Sequence, residues 1–130
     1  MKSYEKFIIN QAYVRVLKKI EAVVAPEKVF AVVEALKKAG VGGITILDAK
    51  GWGKGIRPQL TSQRGTGSYT ASSNIKNYVI TVVDDSMVNK VVTAIIDAAG
   101  TGSPGDGKIF IDNVEDAIDI GSKQKGIHAI

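Results

Sequence analysis

The stretch Thr101-Gly102-Ser103-Pro104-Gly105-Asp106-Gly107-Lys108-Ile109-Phe110 concentrates residue types that handle anions. Three glycines and a proline within six positions bare backbone N–H groups and let a charged ligand approach the main chain. Lys108 adds a cation directly after them, and the apolar run Ile109-Phe110-Ile111 follows. In chemical character such a turn is an anion cradle, with phosphate the commonest guest. The spacing Gly102-x4-Gly107-Lys108 approaches a Walker A loop, but Ile109 stands where the magnesium-binding hydroxyl belongs. The element order is also reversed, because a helical pattern precedes the turn and a strand follows it. It is not a P-loop. Taken alone, the turn is equally well read as a plain helix-to-strand connection that the glycines and Pro104 terminate.

Composition bounds what else the chain can do. Its 130 residues make one domain, and 45% hydrophobic with 23% charged residues fits an ordinary globular chain. There is no cysteine, and His128 is the sole histidine, so neither a thiolate nor a histidine metal centre is expected. No apolar run approaches a membrane span, and the first residues lack a signal-peptide core, so a cytoplasmic location is expected. The net charge of +4 is too small to mark a nucleic-acid binder by itself.

The elements that would position the glycine-rich turn follow from periodicity. Residues 1–16 form an appended segment with apolar Phe7, Ile8, Ile9, Tyr13, Val14 and Val16. A strand is expected from about Val14 to Val24, with β-branched Val16, Ile20, Val23 and Val24. Pro26 suits a helix start, and Val29, Val32, Val33 and Leu36 give one apolar helical face closed by Lys37, Lys38 and Gly40. A second strand covers roughly Gly43 to Ala49, and a third about Ile75 to Val83. Asp84 or Asp85 caps the next helix, whose buried stripe is Val88, Val91, Val92, Ile95 and Ile96. Lys108 to Asp112 makes a fourth strand, Val114 to Ile120 a short extra element, and Gly121 to Ile130 an irregular tail. The β-α-β, long loop, β-α-β order predicts an α+β, ferredoxin-like (split βαβ) sandwich, with a four-stranded antiparallel sheet and two helices on one face. Val79 and Val83 on one parity of the third strand, and Ile80 and Val82 on the other, predict a sheet buried on both faces. Self-association would achieve that.

These residues carry a family likeness over about Leu17 to Phe110. The chain resembles the PII signal-transduction (nitrogen regulatory) proteins, as a divergent PII-like member. Leu17-Lys18-Lys19-Ile20-Glu21-Ala22-Val23-Val24 is similar to the family's opening strand. Lys50-Gly51-Trp52-Gly53 resembles the turn before its long T-loop, and the stretch from Thr101 to Phe110 resembles its C-terminal signature, the B-loop. The resemblance implies a homotrimer that binds an adenine nucleotide (AMP, ADP or ATP, with Mg²⁺ as an accessory) between subunits. Such a protein controls a membrane transporter or metabolic enzyme through the T-loop, and it is a regulator with no catalytic residues. Carried over by position, the nucleotide site comprises Val23, Thr45, Gly51, Trp52, Gly53, Lys54, Val82, Gly102, Gly105, Asp106, Gly107 and Lys108. Lys76 matches the family lysine that pairs with 2-oxoglutarate. On this reading residues 1–16 are an N-terminal extension, 17–130 the PII-like domain, about 51–75 the T-loop and about 119–130 the C-terminal tail.

The chain departs from the family pattern at two places. Lys54-Gly55 stands where the family has a basic residue followed by a glutamine, leaving Gln59 or Gln63 as substitutes. Asp119 and Gly121 occupy the positions of two arginines that clamp the triphosphate, with Lys123 and Lys125 as nearby cations. A carboxylate near phosphates repels them, so weakened ATP binding, a preference for AMP or ADP and no standard 2-oxoglutarate response are expected. From Ala49 to Val83 the sequence has no Asp or Glu but carries Lys50, Lys54, Arg57, Arg64 and Lys76, which suits either a solvated loop or one that meets an anionic partner. Tyr69 is a candidate modification site, although Arg64-Gly65 lies one residue too far upstream for the family's context. Ser62, Ser68, Ser72 and Ser73 are alternatives.

Two readings from other classes compete. An RNA-binding ferredoxin-fold module needs exposed aromatics on its central strands, and the candidates for those, Leu17 to Val24 and Ile109-Phe110-Ile111, carry one. No nucleic-acid partner is expected. The carboxylates Asp112, Glu115, Asp116 and Asp119 cluster without any general base or nucleophile, which argues against an enzyme. A structural trimer with a degenerate, ligand-free cleft is the third alternative.

Overall fold

The computed structural model describes residues 16–53, 59–61, 68–70 and 74–130. Strand β1 (Leu17–Val24) alternates Ile20, Ala22 and Val24 onto one face, all buried, with Lys19, Glu21 and Val23 on the other. A single 3-10 turn, Pro26–Lys28, begins with the proline's preset φ and leads into helix α1 (Val29–Ala39). The helix ends where Gly40 takes φ +90°, a left-handed cap that few side-chain-bearing residues tolerate. Its amide bonds back to Leu36 O and Lys37 O.

Strand β2 (Thr45–Gly51) follows, then two three-residue strands, β3 (Gln59–Thr61) and β4 (Ser68–Thr70), which pair antiparallel with Leu60 opposite Tyr69. Strand β5 (Asn74–Asp84) returns to the main sheet. The Asp84 carboxylate accepts from the Ser86 amide at 3.1 Å, capping the 3-10 turn Asp85–Met87 that opens helix α2 (Val88–Ala99). Strand β6 (Gly107–Val114) completes the sheet, and a 3-10 turn, Gly126–Ala129, lies near the end of the chain.

The main sheet has the order β2-β5-β1-β6, all antiparallel, with Leu17 opposite both Asp84 and Val114. This is the ferredoxin-like arrangement that the element order predicts. One expectation needs correction: the central strands are β5 and β1, and the strand carrying Ile109-Phe110-Ile111 is an edge. The first strand begins its pairing at Leu17, and Val14 and residues 1–13 lie outside the described residues. The long loop carries the β3–β4 pair, which alternation did not reveal because each strand is only three residues long.

The core lies between the sheet and the two helices. Ile20, Ala22 and Val24 of β1 meet Val79 and Val83 of β5, Val32 and Leu36 of α1, and Val91, Ile95 and Ala99 of α2. The expected α1 stripe is present, with Val29 and Val33 at its margin. The α2 stripe is narrower than expected, because Ile96 is 55% exposed. Two polar side chains inside the layer are satisfied: Thr81 Oγ1 donates to Gly43 O, and Asn77 Nδ2 donates to Asp48 Oδ1, both at 2.7 Å.

The other face of the sheet is open. Leu47, Tyr78, Ile80, Val82, Val23 and Phe110 point to it by strand parity, with Phe110 and Leu47 about half exposed. The Lys19–Glu21 ion pair, at 2.9 Å, shares this face.

Leu36 is fully buried against both helices and sheet. Leu36→Ala is expected to lower stability by about 2–5 kcal/mol, the cost of lost transfer plus an unfilled cavity. A urea titration at fixed protein concentration reads that loss, and a change under 1 kcal/mol would mean that the site collapses around the gap.

Candidate functional site

The glycine-rich turn is fixed by its own carboxylate. Helix α2 stops at Ala99, with the Gly100 amide bonded to Ile96 O at 2.8 Å. The chain then wraps around the side chain of Asp106. Its Oδ2 accepts from the amides of Thr101 (2.6 Å), Gly102 (2.9 Å) and Ser103 (3.3 Å), and its Oδ1 accepts from Thr101 Oγ1 at 2.5 Å. The Thr101 hydroxyl and amide, with the Gly102 and Ser103 amides, hold this carboxyl below the usual aspartate range. The amides at 101–103, which the sequence offers to a ligand, are thus occupied from within the loop. The free end of the cradle is the segment Gly105–Lys108.

Gly107 is held there by sterics. It has φ +124°, and a Cβ at this position would sit 1.8 Å from the carbonyl oxygen of Val23. Only glycine lets β6 join β1 in this register, where Gly107 opposes Val24 and Lys108 opposes Val23. That register brings the turn, Lys108 and Val23 to one end of the sheet. Beside them is a cleft of about 440 Å³, lined on its apolar side by Val92, Ile95, Ile96 and Ile109. The exposed Ile96 therefore has a place: it forms the outer wall of this cleft.

The foot of the long loop arrives at the same end. Gly51 closes β2 opposite Asn74, and Lys76 of β5 opposes Ala49. The Lys76 amino group donates to Gly105 O at 2.9 Å, joining β5 to the glycine-rich turn. Trp52 follows Gly51 with 70% of its surface exposed, and Gly53 is exposed beside it. Lys54 lies outside the described residues, as do Arg57, Gln63 and Arg64; Tyr69 is placed in β4 by its backbone. Thr45 and Val82 stand apart from the cluster. Thr45 opposes Ile80 and Val82 opposes Lys19, so Val82 lies four positions along β5 from Tyr78, the partner of Val23. At the rise of a β-strand that is about 13 Å. Measured along β5 from Tyr78, Gly51 and Lys76 lie toward the loop foot and the turn that Lys76 bonds, whereas Thr45 and Val82 lie in the opposite direction.

The family model for nitrogen regulatory protein P-II matches residues 17–124. The chain belongs to the P-II family. The P-II protein of Bradyrhizobium diazoefficiens is 40% identical over 114 residues, covering 88% of this chain and 100% of its own. That of Nostoc punctiforme is 42% identical over the same shares. Among solved structures, Arabidopsis thaliana PII bound to citrate superimposes with a TM-score of 0.72 at 31% identity, covering 88% of this chain and 92% of that one. A B. subtilis GlnK–ATP complex gives 0.68 at 27%, covering 88% and 98%.

The C-terminal segment is shaped by Asp119. Asp119 Oδ2 accepts from the Ser122 amide at 2.7 Å, and the Asp119 amide and carbonyl bond to Gln124 O and the Lys123 amide. The amide and hydroxyl of Ser122, with the Gly121 amide, lower the carboxyl's proton affinity. Asp119 thus builds a turn, closed by an Ile118–Lys125 bridge in which Lys123 adopts φ +64°. The tail expected to be irregular is this turn plus the 3-10 turn that follows, and its last residue reaches Gly42, where an added Cβ would meet Ile130 at 2.9 Å.

Gly107→Ala is expected to lower stability by about 2–4 kcal/mol, read as a shift of the urea midpoint, because both φ and the Val23 carbonyl exclude a Cβ. Asp106 gives a pH prediction. Its proton affinity is lowered in the folded protein, so its stabilising contribution is complete at neutral pH and is lost as pH falls through the folded-state value. In a carboxyl ¹³C NMR titration, Asp106 should titrate at lower pH in the protein than in a peptide of residues 99–109. An equal or higher midpoint would contradict the hydrogen-bond pattern.

Proposed function

We propose that this chain is a PII-type signal-transduction protein whose effector is an adenine nucleotide, bound where the glycine-rich turn, Lys108 and the foot of the long loop converge. The observation that carries this reading is the convergence itself, with Lys76 tying the loop foot to Gly105 at 2.9 Å. Lys108 supplies a point charge for phosphate oxygens, and the backbone from Gly105 to Gly107 lets them approach. That a GlnK was solved with ATP and a plant PII with citrate adds support for an anionic effector in this fold.

The nucleotide site lies between copies of the chain, and the protein is a trimer in the cytoplasm. The open sheet face, with Ile80, Val82, Leu47 and Phe110, supports burial against other copies. So does the position of Val82, about 13 Å along β5 from the partner of Val23, since a neighbour's residue can approach where the chain's own cannot. Among the described residues no helix is long and apolar enough to cross a membrane. The protein acts as a regulator: ligand orders the long loop, which meets or releases a transporter or enzyme. Its basic, carboxylate-free sequence suits an anionic surface. Tyr69 remains the candidate for covalent modification of that loop.

The preferred nucleotide is AMP or ADP. Two features support this: the amides of residues 101–103 are occupied by Asp106, and Asp119 brings a carboxylate to a position where the family pattern has an arginine. Both reduce the positive potential available to a third phosphate. A standard 2-oxoglutarate response through Lys76 is not expected, because its amino group is engaged by Gly105.

Calorimetric titration of the purified protein with AMP, ADP and ATP, each with and without Mg²⁺ and 2-oxoglutarate, tests the reading. The expected result is micromolar binding of AMP or ADP, weaker binding of ATP, and at least about a tenfold loss in Lys108→Ala, the scale of one charge-assisted phosphate contact. No heat from any nucleotide would overturn it.

A further inference from the structure

Lys76 is placed to do something other than hold a ligand. Its stem crosses the point where the long loop leaves β2, since a Cβ on Gly51 would lie 3.9 Å from Lys76 Cγ. Its amino group then reaches the apex of the glycine-rich turn and donates to Gly105 O at 2.9 Å. The two halves of that turn are held differently. Thr101, Gly102 and Ser103 are gathered by the Asp106 carboxylate. The second half has weaker internal support: the Asp106 amide bonds to Ser103 O at 3.2 Å, and the Gly105 amide lies 3.4 Å from Ser103 Oγ. Among the described residues, the ammonium of Lys76 is the contact that ties Gly105 to the rest of the sheet.

We propose that Lys76 is a positioning residue for the glycine-rich turn, pinning Gly105 in the ligand-free protein and coupling the turn to the foot of the long loop. An ammonium-to-carbonyl hydrogen bond is stronger than a neutral one and can fix a segment that lacks its own ladder. The coupling works in both directions. A ligand that orders Gly105–Lys108 orders Lys76 and the loop foot at Gly51, and an anion that draws the Lys76 ammonium away loosens the turn. The proposal deepens the nucleotide reading by naming how occupancy would reach the long loop, but the contact itself belongs to the free protein.

The test therefore uses no nucleotide. Backbone ¹⁵N order parameters would be measured on the full chain for wild type, Lys76→Met, which keeps the stem and removes the donor, and Lys76→Arg, which keeps a donor. Wild type should show Gly105 and Gly51 near the rigid-backbone value of about 0.85, and Lys76→Met should drop both toward about 0.6 or below. Lys76→Arg should restore both, and residues of α1 should stay unchanged in all three as the control for intact folding. Wild-type values already below about 0.6 at Gly105 would overturn the proposal. So would a Lys76→Met protein with Gly105 unmoved, or a loss confined to Gly51. Because these readouts are independent of any effector, a negative nucleotide titration and a negative result here have separate meanings.

Discussion

The site depends on a gap too narrow for a β-carbon. Strand β6 enters the sheet at Gly107, with its α-carbon against the carbonyl of Val23. A side chain there would force either the φ of Gly107 or the β1–β6 pairing to change. Both alternatives move Lys108, because its position opposite Val23 is set by the same register. The glycine therefore determines where the only cation of the turn points. Everything upstream in the turn is then threaded between two fixed points, the last turn of α2 and this gap.

Between those points the chain is organised by charge rather than by packing. Asp106 draws three successive amides onto one carboxylate, a geometry that resembles an anion site filled by the protein's own anion. The effect on an incoming phosphate has two parts. The amides are not available to it, and the carboxylate adds a negative charge near the cradle. In exchange the loop has a defined shape before any ligand arrives, which lowers the ordering entropy that binding must overcome.

Much of this fold is written in the residue pattern, and the exceptions are informative. The 3–4 spacing of Val29, Val32, Val33 and Leu36, and the alternation of Ile20, Ala22 and Val24, are direct consequences of burial on one face, so they are readable. Strand order is not encoded that way. Ile109-Phe110-Ile111 looks as apolar as a central strand, yet it occupies an edge, because α2 covers one face and Phe110 sits on the open one. Ile96 continues the apolar stripe of α2 but faces the cleft beside the turn, and periodicity carries no information on which end of a stripe is covered. At the turn itself, the glycines, Asp106 and Lys108 are visible in the sequence. The direction of the Asp106 carboxylate is not, because Asp-Gly in a loop is compatible with either outward or inward orientation. The role of Asp119 is hidden for the same reason: its bonds to Ser122 depend on local backbone angles that no spacing rule fixes.

The open face connects the local argument to assembly. Val82 is displaced along the sheet from Lys108, and the register is fixed by the core, because a one-residue slip of β1 would turn Ile20, Ala22 and Val24 away from the face they share with Val79 and Val83. A second copy approaching the half-exposed Phe110 and Leu47 removes apolar surface from water at about 25 cal/mol per Å², while bringing its own residues toward the turn. Assembly and site completion then draw on the same free energy. On the proposed trimeric, nucleotide-binding reading, a substitution on the open face would weaken effector binding through the interface, and effector binding would in turn strengthen the interface.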